Sequence, residues 1–480
     1  MDARGSERSL SIAVLGIAAL IVASALVPSA VLVGSVRVDA VVLGVPFALA
    51  MALPYVLRRG LGELRWGVIG WFGAVFALFA ALSIVFNPSS MGAIATLVRY
   101  LSYFVLTLVV GLVSSSLPAR RLLMWTTVTS GAGTVAVSVY QVATGKAAAG
   151  MAGLASDVGT RVTGTLGNAN FYGEFLVLVF AVALALVMIQ HGRGRVYAGA
   201  ALLAVTGALF LTYTRGSWLA LAFALAVSIP FVNKRLLLPL AAGAAVAIFA
   251  IPGILQRVLS IFSSQGTASF RFQLWRVAGA AIEAKPVIGW GLGEFLSAYR
   301  ATVLARADLF MGYLGYGAHN AYFTLMVETG VLGGIAFLML VFYLASRGLF
   351  VAYRQGVPDE ARIESVVLGV GLLAFAVNAL TSNSFQHPQA AVFFWILAGL
   401  LVGASNGWLS APSAPMRTAV ERVSSNALLA DSFVIRGWNR ALPAVARVWY
   451  SSLAFRLFVA GHPGRASEGG IFARFVHPHS

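Results

Sequence analysis

The chain contains no cysteine and very few charged residues. Without cysteine it has neither a disulfide framework nor a thiolate metal site. Only 10% of its 480 residues are charged, whereas 59% are hydrophobic. A soluble domain of this length would need far more charge on its water-facing surface. Composition therefore excludes a soluble globular protein and predicts an all-α polytopic membrane protein.

Repeated apolar runs of about 18–24 residues support this class. About 20 residues at a rise of about 1.5 Å cross a hydrocarbon core of about 30 Å. The first run is too long for a signal-peptide core and lacks a clear cleavage site, so we predict that it is retained. The sequence predicts twelve transmembrane helices, at about 10–33, 38–57, 66–86, 93–117, 122–143, 170–190, 196–213, 217–232, 236–253, 319–346, 363–381 and 389–404.

The basic residues in the gaps between these runs predict the orientation. With a cytoplasmic N-terminus, the inside gaps hold fourteen cations in mostly short loops, and the outside gaps hold ten. Six of those ten lie in one long gap, about 254–318. Positive charge concentrates on the cytoplasmic side of membrane proteins. We therefore predict a multi-pass protein of the cytoplasmic membrane, with both termini cytoplasmic and its active site outside.

The excess of basic over acidic residues, 33 against 16, predicts anionic lipid rather than nucleic acid as the partner of this charge. We divide the chain into a transmembrane domain, 1–404, and a basic cytoplasmic tail, 405–480. Aromatic and aliphatic residues alternate with arginines at about 433–460, which predicts an interfacial amphipathic helix. A thirteenth span is the alternative there. No fixed-period repeat is found along the chain.

Arg215 lies in a short reversal between the seventh and eighth runs, on the predicted outer side. Arginines are scarce on that side, so a cation held there suggests an anionic ligand. The simpler interpretation is that its side chain snorkels to lipid headgroups. Two further ionisable residues, Arg99 and Glu174, lie within or near spans. Either residue lines a cavity or forms a structural pair, and the sequence leaves both interpretations open.

Candidate catalytic or binding residues are expected in the long outer gap. Residues 270–284 have helical character and include Arg271, and Pro286 ends this helix. A tight glycine-rich turn follows at 289–293. It is not a dinucleotide-binding fingerprint, because no strand–turn–helix pattern surrounds it.

His319 and Asn320 are predicted to open the tenth helix. A rotation of about 100° per residue places a stripe on the same face as His319. Glycines in such a stripe allow another helix to approach closely, so His319 is expected to lie over the protein interior. Glu328 is out of phase and cannot orient the histidine. A helix cap is the simpler role for His319. The stripe consists of Phe323, Met326, Gly330 and Gly333.

Four segments together resemble the O-antigen ligase family, which includes the related O-antigen polymerase domain. Thr214–Leu219 resembles the family's arginine turn, and Gly164–Asn170 resembles its entry to an earlier helix. Phe270–Trp275 with the following glycines resembles its long periplasmic loop. The fourth segment is the pattern of His319, Asn320, Gly330 and Gly333. The resemblance covers about 160–400 at the level of motifs.

The resemblance implies a GT-C-like fold and a metal-independent glycosyltransferase without a cofactor. Such an enzyme transfers a glycan from a polyprenyl (undecaprenyl) diphosphate carrier to a hydroxyl of an acceptor glycan or glycolipid. Direct displacement would invert the anomeric centre. We predict His319 and Arg215 as catalytic residues, and Arg215, Arg271 and Arg161 as ligands of the diphosphate. Asn320, Gly330 and Gly333 are predicted to serve the motif and its packing.

Other functions compete with this interpretation. A polymerase of the same family would extend a lipid-linked glycan instead. A transporter or flippase also suits twelve helices, but such proteins usually show repeats and midplane charges. A polymerase of the peptidoglycan-building type would depend on an outer carboxylate such as Asp308 or Glu283. The six histidines offer no ligand cluster at a spacing that suits a metal.

Overall fold

The computed structural model describes residues 3–28, 31–33, 36–38, 40–60, 67–87, 91–145, 161–228, 242, 267–354 and 356–410. The predicted span 236–253, apart from residue 242, and the predicted tail beyond 410 lie outside these residues. The chain divides into two compact units, 1–65 with 72–416 and 66–71 with 417–480. Everything below concerns the first unit, apart from the start of the third helix.

The described residues form thirteen α-helices and one short hairpin. The helices are α1 (Ala3–Leu26), α2 (Ala40–Arg59), α3 (Gly67–Val85), α4 (Met91–Val113), α5 (Leu117–Ala143), α6 (Ala169–Ile189), α7 (Gly192–Leu211), α8 (Arg215–Ser228), α9 (Thr267–Ala284), α10 (Phe295–Ala305), α11 (Ala321–Tyr353), α12 (Asp359–Asn378) and α13 (Pro388–Ser410). Strands β1 (Val31–Val33) and β2 (Val36–Val38) pair antiparallel. Single 3-10 turns occupy Ala307–Leu309 and Ser384–Gln386.

Nine of the described helices are long and apolar enough to cross a membrane, and α8 is a shorter apolar helix. They confirm the predicted all-α polytopic class. The first span was predicted seven residues too late, at 10–33. Helix α1 instead begins at Ala3 and ends at Leu26, two residues before Pro28, because the residue that precedes a proline is disfavoured in the helical conformation. The predicted span 10–33 therefore extends beyond the end of α1 and includes strand β1.

Three helices form the centre of the bundle. Almost all of α6 is buried, and α12 and α13 are buried along most of their length. Helix α6 packs against α5, α7, α8, α12 and α13. A helix that is apolar and buried all round belongs to the interior of the protein rather than to the lipid boundary. The start of α6 is therefore surrounded by protein, and the residues there face other helices rather than lipid.

Residues 267–320, called the α8–α11 segment below, have a small core of their own. The predicted helix at 270–284 is confirmed as α9, and its predicted apolar side packs inward against α10. The buried residues of this core are Leu274, Val277, Ala278, Ala281, Phe295, Ala298, Tyr299, Val303, Leu309, Ala318 and Val327. Two of these, Ala318 and Val327, flank the start of α11, so the core fixes the segment against that helix.

Helix α11 is broken at Gly330, which has a left-handed φ of 78°. The backbone of the α8–α11 segment enters this break. Val331 donates to the Pro286 carbonyl at 2.8 Å, and Trp290 donates to the Val327 carbonyl at 2.9 Å. The predicted continuous stripe is therefore wrong on two counts: the helix begins after His319, and the chain turns at Gly330. Gly333 does allow a close helix approach, because an added Cβ would lie 2.9 Å from the Cβ of Phe79.

Replacing Gly330 with alanine is expected to destabilise the protein by roughly 1–3 kcal/mol, the usual cost of a residue held in a disfavoured conformation. An added Cβ would lie only 2.1 Å from the Val287 carbonyl oxygen, at a φ that side chains rarely adopt. The glycine-rich turn would then lose its packing against the break in α11. We therefore expect faster proteolysis of the α8–α11 segment together with a lower melting temperature. The matched control is Gly207→Ala in α7, where nothing lies within 4 Å. Equal melting temperatures for the two variants would contradict this explanation.

Candidate functional site

The turn between α7 and α8 presents Arg215. Helix α7 ends at Leu211 and α8 begins at Arg215, so the predicted short reversal is confirmed. Tyr213 has a positive φ of 50°, which allows so tight a turn. The Oγ1 of Thr214 donates to the Ala169 carbonyl at 3.0 Å, which ties the turn to the start of α6. Arg215 itself is half-buried. Its backbone is thus fixed by contacts to α6.

Arg161 is bound to this turn. Its Nε donates to the Thr212 carbonyl at 2.8 Å, and its Nη2 donates to Thr214 Oγ1 at 3.0 Å and to Asn170 Oδ1 at 2.9 Å. Val162 also donates to the Leu211 carbonyl at 3.2 Å. These contacts give Arg161 a part in shaping the turn. Its predicted contact with a diphosphate stays a prediction.

The end of α12 and the connection to α13 form hydrogen bonds with the start of α8 and with the start of α11. Asn378 Nδ2 donates to Ser217 Oγ at 2.9 Å, next to the arginine turn. The backbone N–H of Ala321 donates to the carbonyls of Ala379 at 2.9 Å and Ser382 at 3.0 Å. This connector, 379–387, was not predicted from the sequence as part of the site. A dense run of polar residues between two apolar spans, at 378–389, is the signal that could have revealed it.

His319 lies just outside the helix that it was predicted to open. Asn320 caps α11, because its Oδ1 accepts from the N–H groups of Tyr322 and Phe323, both at 3.0 Å. His319 has a left-handed φ of 48°, which turns it away from the helical stripe. It is half-buried, and burial lowers the pKa of its imidazole, with a further lowering by Arg271. The capping role thus belongs to Asn320, and the imidazole stays neutral over a wider pH range.

Arg271 links the two predicted catalytic residues. It lies near the start of α9 and is half-buried. Burial lowers its pKa first, the charge of Arg215 lowers it further, and the carboxylate of Glu174 acts in the opposite direction. Arg271 also acts on His319. Arg271 therefore lies within electrostatic range of Glu174 in α6, Arg215 in α8 and His319 just before α11, although these residues are far apart in the sequence.

The carboxylates that would serve a peptidoglycan-type polymerase are placed differently. Asp308 forms an exposed ion pair with Arg306 at 3.2 Å, and that arginine lowers the pKa of the Asp308 carboxyl. Glu283 acts electrostatically on the same Arg306. In the part of the chain that the structure describes, no group of three His, Asp or Glu side chains is arranged to hold a metal ion.

The glycine-rich turn has a structural role. Gly289 packs against the break in α11, where an added Cβ would lie 2.5 Å from the Glu328 carbonyl. Gly291 donates to that same carbonyl at 3.0 Å. The Glu328 carboxylate accepts from the backbone N–H groups of Gly293 and Phe295. The turn therefore fixes the α8–α11 segment, including Arg271, against α11.

A search of curated proteins finds no match to this chain. A family model does match, over residues 198–338, and its description is O-Antigen ligase. The matched residues include Arg215, Arg271 and His319, together with the broken helix at Gly330. This match supports the assignment, predicted from the motifs, of the chain to the O-antigen ligase family, whose members are glycosyltransferase-like ligases and polymerases.

Proposed function

We propose that this protein is a glycosyltransferase that moves a glycan from a polyprenyl diphosphate carrier to an acceptor hydroxyl. Ligase-type transfer to an acceptor glycan or glycolipid, at the extracytoplasmic face of the cytoplasmic membrane, is the form we favour. The observation that carries the proposal is the meeting of Arg215, Arg271 and His319 in one electrostatically coupled group. Two cations suit the donor diphosphate, and a neutral imidazole suits the acceptor hydroxyl.

The two arginines suit the donor. A guanidinium is permanently charged, and its planar fork grips phosphate oxygens in pairs. Arg215 is also the first residue of α8, and the N-terminal end of a helix favours an anion. Because both side chains are partly desolvated, their attraction for a diphosphate is stronger than it would be in water. They would stabilise the negative charge that grows on the leaving diphosphate.

His319 suits the acceptor. In the proposed step, the imidazole takes the proton of the acceptor hydroxyl, and the oxygen attacks the anomeric carbon of the donor sugar. The bond from that carbon to the diphosphate oxygen breaks, and the diphosphate leaves with the electron pair. An imidazole must be neutral before it accepts a proton, and burial and the charge of Arg271 both favour the neutral form of His319. Because one displacement occurs, the product has the inverted anomeric configuration.

The acceptor distinguishes a ligase from a polymerase, since both use the same donor chemistry. The test is to incubate the purified full-length protein with a polyprenyl-diphosphate-linked glycan and a separate glycolipid acceptor. For a ligase, we expect the glycan to move to the glycolipid, with no lengthening of the lipid-linked donor. Longer lipid-linked chains would instead identify a polymerase. If the donor remains intact under all conditions, the proposed function is wrong.

A further inference from the structure

Glu174 is a buried carboxylate with an unusual environment. It lies on α6, is 0% exposed, and neither carboxylate oxygen has a hydrogen-bond partner within the described part of the chain. Two other buried glutamates in the described chain are satisfied. Glu364 pairs with Arg120 at 2.7 Å, and Glu328 accepts two backbone N–H groups. A carboxylate without such partners is costly in an apolar interior and marks a functional position.

The neighbours of Glu174 belong to the candidate site. The hydroxyls of Ser382 and Ser384, in the α12–α13 connector, lie beside its carboxylate without hydrogen-bond geometry. The preceding residue, Gly173, packs on the arginine turn, where an added Cβ would lie 2.8 Å from Ser217 Oγ. Glu174 also interacts electrostatically with Arg271. It therefore lies between the turn that carries Arg215, the connector and Arg271.

The positive charges of Arg215 and Arg271 suggest a role for the Glu174 carboxylate. Arg215 and Arg271 repel one another, and both are partly desolvated, so their repulsion is weakly screened. A nearby anion reduces this repulsion. The donor diphosphate would supply that anion only while it is bound. Glu174 is the acidic group that acts electrostatically on Arg271 in the described structure.

We propose that Glu174 is a positioning residue: the charge of its carboxylate, which forms no hydrogen bond to Arg271, offsets the repulsion between Arg271 and Arg215, so that both guanidinium groups stay beside the site of the incoming diphosphate. This inference rests on the proposed function. Glu174 is 0% exposed, so it would act on the donor through Arg271 rather than by contact. The arrangement also explains why an acidic residue is tolerated in a site for an anionic substrate.

The test is a double-mutant cycle with Glu174→Gln and Arg271→Gln, measured as glycan transfer by the full-length protein. Glu174→Gln removes the charge but keeps the size of the side chain. We expect it to lower transfer by about tenfold, a coupling typical of neighbouring charged groups. In the Arg271→Gln background, the same change should cause no further loss. Additive losses, or full transfer by Glu174→Gln, would overturn the proposal.

A matched control is Glu364→Gln, which also removes a buried carboxylate but breaks the pair with Arg120. Its effect on transfer should be fully additive with Arg271→Gln. If Glu174→Gln does not fold, the cycle is repeated with Glu174→Asp, which keeps the charge and withdraws it by one methylene. Additivity in that cycle also overturns the proposal. If His319→Ala transfers normally, or the wild-type protein transfers nothing, the proposed function itself fails, whereas an additive Glu174 cycle alone refutes only this inference.

Discussion

Replacing His319 with alanine is expected to lower glycan transfer by about 10²–10⁴-fold, the usual contribution of a general base. The acceptor hydroxyl would then have to lose its proton to water, which is a weak base. Because the imidazole is not part of the helix cap, the loss should appear without a comparable fall in stability. The measurement is the initial rate of transfer from a polyprenyl-diphosphate-linked glycan, together with the melting temperature in detergent.

Two controls separate catalysis from structure. Asn320→Ala removes the cap of α11 and should lower stability by about 0.5–2 kcal/mol, with a smaller effect on transfer than His319→Ala. His191→Ala changes an exposed histidine at the start of α7 and should leave both properties unaltered. Equal losses of transfer in the His319 and Asn320 variants, each matched by a loss of stability, would mean that His319 is only structural.

The sequence alone predicted the helices well because their cause is local. A run of about 20 apolar residues becomes a helix in lipid, since no other conformation satisfies its backbone hydrogen bonds there. The break in α11 could not be predicted in this way. Its cause is the docking of Pro286 and Val287, which are more than forty residues away in the chain. Helical periodicity contains no information about such a long-range contact.

In the candidate site, too, features with a local cause could be predicted from the sequence, and features that arise from long-range contacts could not. Arg215, Arg271 and His319 could be named as candidates because their segments resemble known motifs, and their roles in the reaction stay predictions. The positions of Arg161 and Ser382 could not, because their roles arise from contacts between distant elements. Nothing local distinguishes an arginine that binds a phosphate from one that binds a carbonyl in a neighbouring turn.

The largest effect after that of His319 is expected from Arg215→Gln and Arg271→Gln, each lowering transfer by about 10²–10³-fold, the usual cost of losing one donor that stabilises a developing anion. Arg271→Lys should restore little, because lysine keeps the charge but lacks the planar fork. Arg276→Gln is the matched control, since Arg276 is exposed on the same helix as Arg271. Wild-type transfer by both Arg→Gln variants would refute their role in binding the diphosphate.

The pH dependence of the residual activity distinguishes the two arginines. The acid limb of the rate profile reports protonation of the His319 imidazole, which is active only when neutral. Burial and the charge of Arg271 lower the pKa of His319, so the wild-type enzyme should keep its activity below the usual histidine range. Arg271→Gln removes that charge, the pKa of His319 rises, and the limb should move to higher pH. Arg215→Gln should leave the limb in place, because Arg215 acts on Arg271 rather than on the imidazole. A shift of equal size in both variants would mean that His319 responds to the total charge of the site instead of to its neighbour in α9.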